Sequence, residues 1–386
     1  MLSRVSISSV IPRTFISLML FLVFPLSVYA APSISGTSGT WNHGGSVTIN
    51  GSAFGTKSPA APLVWDNASG TSLSQKWDVY WPNGSGASYN MAYRSVQRSV
   101  AMPHNRITKY IAGAAYPGTD TNAGWNTLLS KVVNLGSLPK TLYVTHYFRV
   151  DPAWVFGLGD PNDHNFKITD LSAESGPYQY PPGYWYWGYA PGEFGSCSAH
   201  AALQLQDDLS DSIDGGQYWP GINTPASPCE QWIKWEFETK LSSGSDGYAK
   251  VWQDGTQLAD YSGKTDGLSG TTRTFTIGGY QRAYGNQNNW RYFADVYMDI
   301  TPARAMLCTG STLTSRGRCE PQIPSAWSSS SVTVNVNAGK FADSSTAYLY
   351  VCDSTGSCNS NGTAITIDGG GGSDTTPPAA PTGLGV

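Results

Sequence analysis

The sequence predicts an all-β protein, and three observations support that prediction. Residues 233–241 alternate apolar and polar side chains, the two-residue period of a strand whose faces differ. Turn formers at 242–247 and the pair Asp254-Gly255 then join this strand to the following ones as a meander. Charged residues make up only 13% of the chain, while glycine, hydroxyl and aromatic residues are plentiful, as is typical of exported β-proteins.

The strand at 233–241 is predicted to have one buried and one solvated face. The buried set is Ile233, Trp235, Phe237, Thr239 and Leu241. The solvated set is Trp232, Lys234, Glu236, Glu238 and Lys240, joined on the next strand by Tyr248, Lys250 and Trp252. Sugar rings lie with their C–H faces on aromatic rings, and their hydroxyls pair with charged or amide groups. The polar face therefore has the composition of a sugar-binding sheet.

A tryptophan and glutamate strand, an open turn and then Gly-Tyr-x-x-Val-Trp-x-Asp-Gly at 247–255 resemble the concanavalin A-like lectin/glucanase jelly rolls. The nearest likeness is to secreted lectin-like and polysaccharide-lyase-like members. The resemblance covers residues 63–301 and implies a jelly-roll sandwich, and it speaks to fold more than to activity.

A second resemblance concerns the flanking segments. Residues 32–56 resemble the first hairpin of an immunoglobulin-like IPT/TIG domain, and residues 322–336 and 347–367 resemble its later strands. Two strands alone are marginal in water, so we expect a split domain, 32–62 plus 302–367, with the jelly roll inserted. The alternative is two independent pieces that flank the jelly roll. Residues 368–376 are predicted to be a linker, and 377–386 resemble the start of a fibronectin type III module.

Several further elements are expected along the chain. Residues 63–67 would open the jelly roll, 141–150 and 165–168 read as strands, and 289–300 would close it. A loosely helical turn is expected near 123–133. The aromatic segment 178–194 is bounded by glycine and proline, which favours a loop-rich structure.

The first 30 residues read as a secretion signal, with two arginines before an apolar run and a small-residue cleavage site. The full chain carries a net charge of −4, and removing a segment with two arginines and no acid leaves −6. A mildly acidic chain without a basic block argues against nucleic acid as a partner. No later stretch is long and apolar enough to span a bilayer, so the mature protein is expected in the medium or at the cell surface.

Six cysteines follow the signal, and an even number in an exported chain indicates disulfides. Sequence proximity suggests the pairs Cys197–Cys229, Cys308–Cys319 and Cys352–Cys358. Their spacing does not match a zinc site.

A glycan site on the polar face is the first functional hypothesis. Its candidate residues are Tyr143, Tyr147, Arg149, Trp185, Trp187, Trp232, Lys234, Glu236 and Trp252. The opposing interpretation is that large aromatics in a sandwich pack in its core, so about half of the run 184–189 is expected inside.

Lyase chemistry is the alternative, because it needs a base and a cation or amide that neutralises a uronate. The main candidates are Tyr147, Arg149 and Lys167. His146 lies on the apolar face of its strand, and Tyr280 and Arg282 are weaker candidates. Hydrolysis is disfavoured, since Lys240 stands where a third strand carboxylate would be needed beyond Glu236 and Glu238.

Calcium is the one cofactor that the resemblance implies. Asp66 on the first jelly-roll strand and Asp295 on the last would meet at its edge. An acidic run of Asp207, Asp208, Asp211 and Asp214 lacks EF-hand spacing, so a solvated loop is expected there. The sequence thus predicts a secreted protein that binds a polysaccharide or cell-surface glycan, with a polysaccharide lyase and a purely structural surface protein as alternatives.

Overall fold

Strands dominate the part of the chain that the computed structural model describes. That part comprises residues 30–80, 90–114, 129–137, 139–151, 166–172, 184–189, 203–207, 217–218, 231–266, 271–278 and 290–368. Within it, the helical structure consists of single 3-10 turns at Leu73–Gln75 and Leu313–Ser315. The prediction of an all-β fold is therefore confirmed.

Twenty-three strands are numbered in chain order. The first twelve are β1 Ser33–Gly39, β2 Ser46–Ser52, β3 Val64–Asp66, β4 Val79–Tyr80, β5 Ala92–Arg94, β6 Tyr110–Ala114, β7 Leu129–Asn134, β8 Lys140–Val150, β9 Phe166–Ser172, β10 Tyr184–Tyr189, β11 Leu203–Asp207 and β12 Gln217–Tyr218. The others are β13 Ile233–Leu241, β14 Gly247–Gln253, β15 Thr256–Gly263, β16 Thr272–Ile277, β17 Trp290–Asp299, β18 Arg304–Cys308, β19 Cys319–Pro321, β20 Ile323–Trp327, β21 Ser331–Asn335, β22 Thr346–Cys352 and β23 Thr363–Thr366.

Two large antiparallel sheets form what we call the large sandwich. The eight-stranded sheet has the order β15-β14-β13-β8-β17-β6-β5, with β3 paired to β17, and the seven-stranded sheet has the order β12-β11-β10-β9-β16-β7-β4. Their facing sides enclose a core that includes Trp235, Phe237, Phe148, Phe275 and Phe293. The alternation read in residues 233–241 thus places the expected side chains in this core.

Two four-stranded sheets, β1-β2-β21-β20 and β19-β18-β22-β23, form what we call the small sandwich. Its core takes Val47, Ile49 and Phe54 from the start of the chain and Leu307 and Val334 from the end. The chain therefore contributes to the small sandwich on both sides of the large one. The IPT/TIG assignment and the domain limits 32–62 plus 302–367 and 63–301 remain our proposal.

Local sequence signals account for many of these elements. Asp254 and Gly255 have φ of +47° and +86°, the two positive values that a two-residue hairpin turn of type I′ requires. Two expectations are wrong. Residues 129–133 lie in strand β7 rather than in a helical turn, and the segment 184–189 is strand β10 rather than loop. Periodicity was a poor guide at β10 because aromatic residues occupy both faces of the strand.

The described residues from Ala31 onward belong to one compact unit, so contacts between the two sandwiches are contacts within it. Disulfides Cys308–Cys319 and Cys352–Cys358 are present as predicted. Cys197 and Cys229 lie outside the described residues, as do the predicted signal, the linker after residue 368 and the fibronectin-like end. Among the described residues, no helix has the length and apolarity to cross a membrane.

Candidate functional site

The outer face of the eight-stranded sheet was predicted to be solvated. In the structure this face is covered at the described residues of β8 and β13. Lys234, Glu236 and Glu238 alternate along β13 on this face, but they are only 3%, 4% and 8% exposed. Tyr143 and Tyr147 on β8 lie opposite Glu238 and Lys234 and are fully buried. The expectation of a solvated, sugar-accessible face is therefore wrong for these residues.

The small sandwich covers this face through charged contacts. Three of the ion pairs between the two sandwiches involve β13: Lys234 Nζ–Glu320 Oε2 at 3.1 Å, Glu236 Oε1–Arg316 Nη2 at 2.6 Å and Glu238 Oε2–Arg304 Nη2 at 2.8 Å. Each of these three charges on β13 is met by its opposite from residues 304–320, so none of the three is left uncompensated in the buried interface.

Cations of the small sandwich also stack on the aromatic rings of this face. The Arg304 guanidinium lies 4.2 Å from the ring centroid of Tyr143, and Arg316 lies 5.0 Å from that of Trp252. The Lys340 ammonium lies 4.7 Å from the ring of Tyr147. These rings thus hold cations of the protein itself by cation–π attraction, in the place expected for a sugar.

Trp232 and Trp252 occupy different surroundings on this face. Trp232 is 7% exposed, and its indole Nε1 donates to the Ala101 carbonyl at 2.8 Å. Trp252 remains half-buried beneath Arg316. Only Trp252 of the two therefore keeps a surface that solvent reaches.

Tyr147 does not have the properties of an elimination base. Its hydroxyl donates to the Glu320 carboxylate, and burial followed by the Glu320 charge raises its pKa well above the ordinary value. A base must be reached by substrate and lose its proton near the working pH. Arg149 lies opposite Tyr292 on the same covered sheet, and burial lowers its pKa. The Lys167 side chain lies outside the described residues.

His146 is a core residue, as its place on the apolar face of β8 predicts. The imidazole lies among Phe148, Phe237 and Phe293, with ring centroids 5.6–6.4 Å apart. Neither ring nitrogen has a hydrogen-bond partner among the described residues. Burial and then the Lys234 charge lower its pKa to about 3.

Asp66 and Asp295, the calcium ligands that the resemblance implies, each have protein hydrogen-bond partners in the described structure. Asp66 accepts hydrogen bonds from Trp77 Nε1 at 2.8 Å and the Tyr93 hydroxyl at 3.0 Å, on the core side of the sheet. Asp295 Oδ2 lies 2.7 Å from His104 Nε2, and His104 packs on Tyr147 on the outer side.

The two carboxylates also differ in their electrostatics. Burial raises the pKa of Asp66, whereas at Asp295 the charge and hydrogen bond of His104 outweigh burial and lower the pKa. In the described ranges no group of three or more acidic, histidine or cysteine side chains is arranged to hold a metal. A structural calcium remains a prediction.

A polar row runs across the seven-stranded sheet. In register from β7 to β12 it consists of Ser130, Thr276, Asp170, Tyr186, Gln206 and Gln217. Residues directly opposite one another in antiparallel strands lie on the same face of a sheet. At one end the Ser130 and Thr276 hydroxyls are buried and bonded to each other at 2.7 Å. The backbone register continues beyond them through Asp170, Tyr186, Gln206 and Gln217.

The two neighbouring rows mix apolar residues with Thr169 in one row and with Lys131 and Asp207 in the other. Ile277 lies opposite Leu129, and Phe275 opposite Leu171 in the next row. Trp187 and Trp185 of β10 continue these two rows, and Tyr184 and Tyr186 take the alternate positions. Sequence reasoning missed the row because its members come from six strands separated by long segments.

The remaining sequence candidates fall outside what the structure describes. The side chains of Trp185 and Trp187 are not described, and Tyr280, Arg282, Asp208, Asp211 and Asp214 lie between the described ranges. Asp207 ends strand β11, opposite Trp185.

Comparison with known proteins finds solved structures of low identity and low TM-score. No protein-family model and no curated protein matches the sequence. An alginate lyase from a Chlorella virus is 12% identical with a TM-score of 0.40, and the match covers 59% of this chain and 94% of that one. An endo-β-1,4-glucuronan lyase from the fungus Trichoderma reesei is 14% identical with a TM-score of 0.39, covering 58% and 91%.

The receptor-binding domain of botulinum neurotoxin D is 13% identical with a TM-score of 0.29, covering 55% of this chain and 45% of that one. At such identities and TM-scores, these similarities assign neither an activity nor a ligand to this chain.

Proposed function

We propose that this is a secreted protein that binds a polysaccharide along the polar row of the seven-stranded sheet. The observation that carries the proposal is the register that aligns Asp170, Tyr186, Gln206 and Gln217 across four neighbouring strands. Carboxylate, amide and phenol groups in a line are suited to the repeated hydroxyls of a glycan chain, and a tyrosine ring offers its face to the apolar side of a sugar.

The dimensions of a sheet favour an extended polymer over a small molecule. Neighbouring strands lie about 4.8 Å apart, so four positions in register span roughly 14 Å. A sugar unit in a polysaccharide advances by a comparable few ångströms, so the row would contact two or three consecutive units. The eight-stranded sheet has no such role in this proposal, because its outer face already contacts the small sandwich through residues such as Arg316.

Export is part of the proposal. The two disulfides form and persist in oxidising compartments, and the sequence carries a predicted signal at 1–30. An exported binding protein would meet polysaccharides of the medium or of a cell surface.

Binding is tested with a glycan array and a matched set of variants. Tyr186→Ala should weaken binding to the best glycan about tenfold, since loss of one stacked ring costs on the order of 1 kcal/mol or slightly more. Gln206→Ala should weaken it by a smaller factor. The control is Tyr248→Ala, because Tyr248 is a half-buried tyrosine of the other sheet. Loss of binding in the control alone, or no glycan bound by the unchanged protein, would contradict the proposal.

A polysaccharide lyase is the second candidate, and Tyr186 is the observation that favours it. In the backbone register Tyr186 is the partner of both Asp170 and Gln206, which supports a role for its phenol beside a carboxylate and an amide. A lyase needs a phenol or imidazole to take the proton beside a uronate and an amide or cation to neutralise the carboxylate.

Unsaturated products from a panel of uronate polymers, detected by ultraviolet absorbance, would establish the lyase. Tyr186→Phe should then abolish product while retaining binding, because the ring stays and only the hydroxyl is lost. Absorbance that persists unchanged in Tyr186→Phe would remove Tyr186 from the reaction.

A further inference from the structure

The disulfide Cys308–Cys319 encloses a longer loop than Cys352–Cys358 does, and this longer loop lies against the large sandwich. We call residues 309–318 the Arg316 loop. The disulfide Cys308–Cys319 closes it at the start of the β18–β19 pair. Two backbone bonds inside it, Gly310 N to Arg316 O at 2.7 Å and Thr309 N to Arg318 O at 3.1 Å, fold the loop back on itself.

Arg316 connects this disulfide to the large sandwich. Its Nη1 donates to the sulfurs of Met306 and Cys319 at 3.3 and 3.4 Å, and its Nη2 donates to Glu236 Oε1 at 2.6 Å. The guanidinium also covers the Trp252 ring. One side chain, 7% exposed, thus touches the disulfide at one end and the charged face of β13 at the other.

The backbone of the loop approaches the large sandwich as closely as the side chain does. A Cβ added to Gly255, in the β14–β15 turn, would lie 2.0 Å from the carbonyl carbon of Gly317. Gly317 itself has φ of +64°. Loop and turn therefore fit together only while the loop keeps its folded-back shape.

We propose that oxidation of Cys308 and Cys319 fixes the Arg316 loop and thereby docks the small sandwich on the charged face of β13. In that step the two thiols give up two electrons and two protons to a small disulfide such as oxidised glutathione, which becomes two thiols as the S–S bond forms. The small sandwich is then docked in the oxidised, exported protein. In the reduced chain it is not docked, and the face of β13 and β14 that bears Glu236 and Trp252 is exposed.

The second disulfide provides a matched control. Cys352–Cys358 lies in the same sheet, and the hydrogen bonds of residues 353–357 stay within that turn, although a Cβ added to Gly356 would lie 3.9 Å from Glu238 Oε1. In the described part of the chain no hydrogen bond or ion pair joins 353–357 to the large sandwich. Its loss should therefore leave the docked face covered.

Carboxyl footprinting measures the docking directly. A carbodiimide and an amine modify exposed carboxylates, and mass spectrometry identifies the modified residues. In the oxidised protein, Glu236 and Glu238 should resist modification because they are buried. In Cys308→Ser/Cys319→Ser, and in the unchanged protein under a dithiol, modification at both should rise about tenfold or more, since local opening governs access. Cys352→Ser/Cys358→Ser should match the unchanged protein at Glu236, which is the residue that decides the comparison because Gly356 lies close to Glu238.

A third variant keeps the test decisive if the first double variant fails to fold. Arg316→Gln retains both disulfides and removes only the charged contact with Glu236. Modification of Glu236 should rise in it. Equal footprints for the two double-cysteine variants, or an unchanged Glu236 in Arg316→Gln, would overturn the proposal.

Discussion

His146 is the residue whose surroundings fit its chemistry least. It lies in a phenylalanine-lined core, without hydrogen-bond partners in the described structure, and its pKa is lowered to about 3. A buried polar group without partners costs on the order of 1–3 kcal/mol. The sequence located this residue on the core face but gave no sign that its nitrogens would be unpaired, because alternation reports only the side of the strand.

Replacing His146 with phenylalanine should raise the unfolding free energy of the protein. It should also make this free energy depend less on pH in the acid range. The folded pKa lies below the unfolded value near 6.5, so the unfolded chain takes up a proton that the folded chain does not. The unchanged protein should lose stability as pH falls from about 6.5 towards 3, by up to about 1.4 kcal/mol per pH unit. Above this window the imidazole contributes no pH dependence.

Urea unfolding between pH 4 and pH 8 measures the effect. The difference in unfolding free energy between His146→Phe and the unchanged protein should grow as pH falls, and should be constant from about pH 7 upward. A difference independent of pH would mean that His146 is already charged, or partnered, in the folded state.

Among the elements, the Asp254–Gly255 turn shows what local sequence can and cannot reveal. The pair Asp-Gly predicts a two-residue hairpin, and the observed φ values agree. The sequence does not reveal that the Gly255 backbone touches Gly317, because that contact joins segments 62 positions apart. The same limit applies to β13. Alternation correctly predicted which side chains share its polar face, but the prediction that this face is exposed to solvent was wrong.

One signal for the covered face was present in the chain. Charge is scarce overall, yet Arg304, Arg316, Arg318 and Glu320 occur within 17 positions. Their charges complement those of β13. Strand alternation identifies faces, but pairing two distant charged segments needs the three-dimensional fold.

Gly255→Ala should destabilise the protein by more than the strain of the turn alone. The positive φ costs an alanine on the order of 1 kcal/mol, and overpacking against Gly317 adds about 1–3 kcal/mol. Gly136→Ala is the control, since Gly136 has φ of +70° with open space around its missing Cβ. Equal losses of unfolding free energy in the two variants would show that the contact with Gly317 adds nothing.

At the scale of the molecule, the two sandwiches share an interface that is both apolar and charged. Ile323 of the small sandwich packs with Trp65, Tyr143 and Tyr297 of the large one. Glu320 accepts from Tyr147 and pairs with Lys234, and its pKa is lowered because these partners outweigh burial. The composition of the chain predicted the fold class, and the family resemblances suggested two sandwiches. Neither of them predicted that the two sandwiches would share this interface.

We expect the described parts of both sandwiches to unfold in a single calorimetric transition. Glu320→Gln should lower the unfolding free energy by about 3–5 kcal/mol, because it leaves Lys234 buried without its counter-charge. The control Asp246→Asn removes an exposed partner of Lys240 and should change the unfolding free energy far less, because solvent screens an exposed ion pair. Two separate transitions, of which Glu320→Gln shifts only one, would contradict this expectation.

The pairing of β3 with β17 has a mechanical consequence. Asp66 lies opposite Val296, so the strands on which the chain enters and leaves the large sandwich are neighbours. The small sandwich holds both the first strand, β1, and the last, β23. Tension applied to the chain on either side of the described region would therefore act first on the small sandwich and on the two segments that connect it to the large one. The large sandwich, attached through two adjacent strands, would be shielded from stretching until that pair is pulled apart.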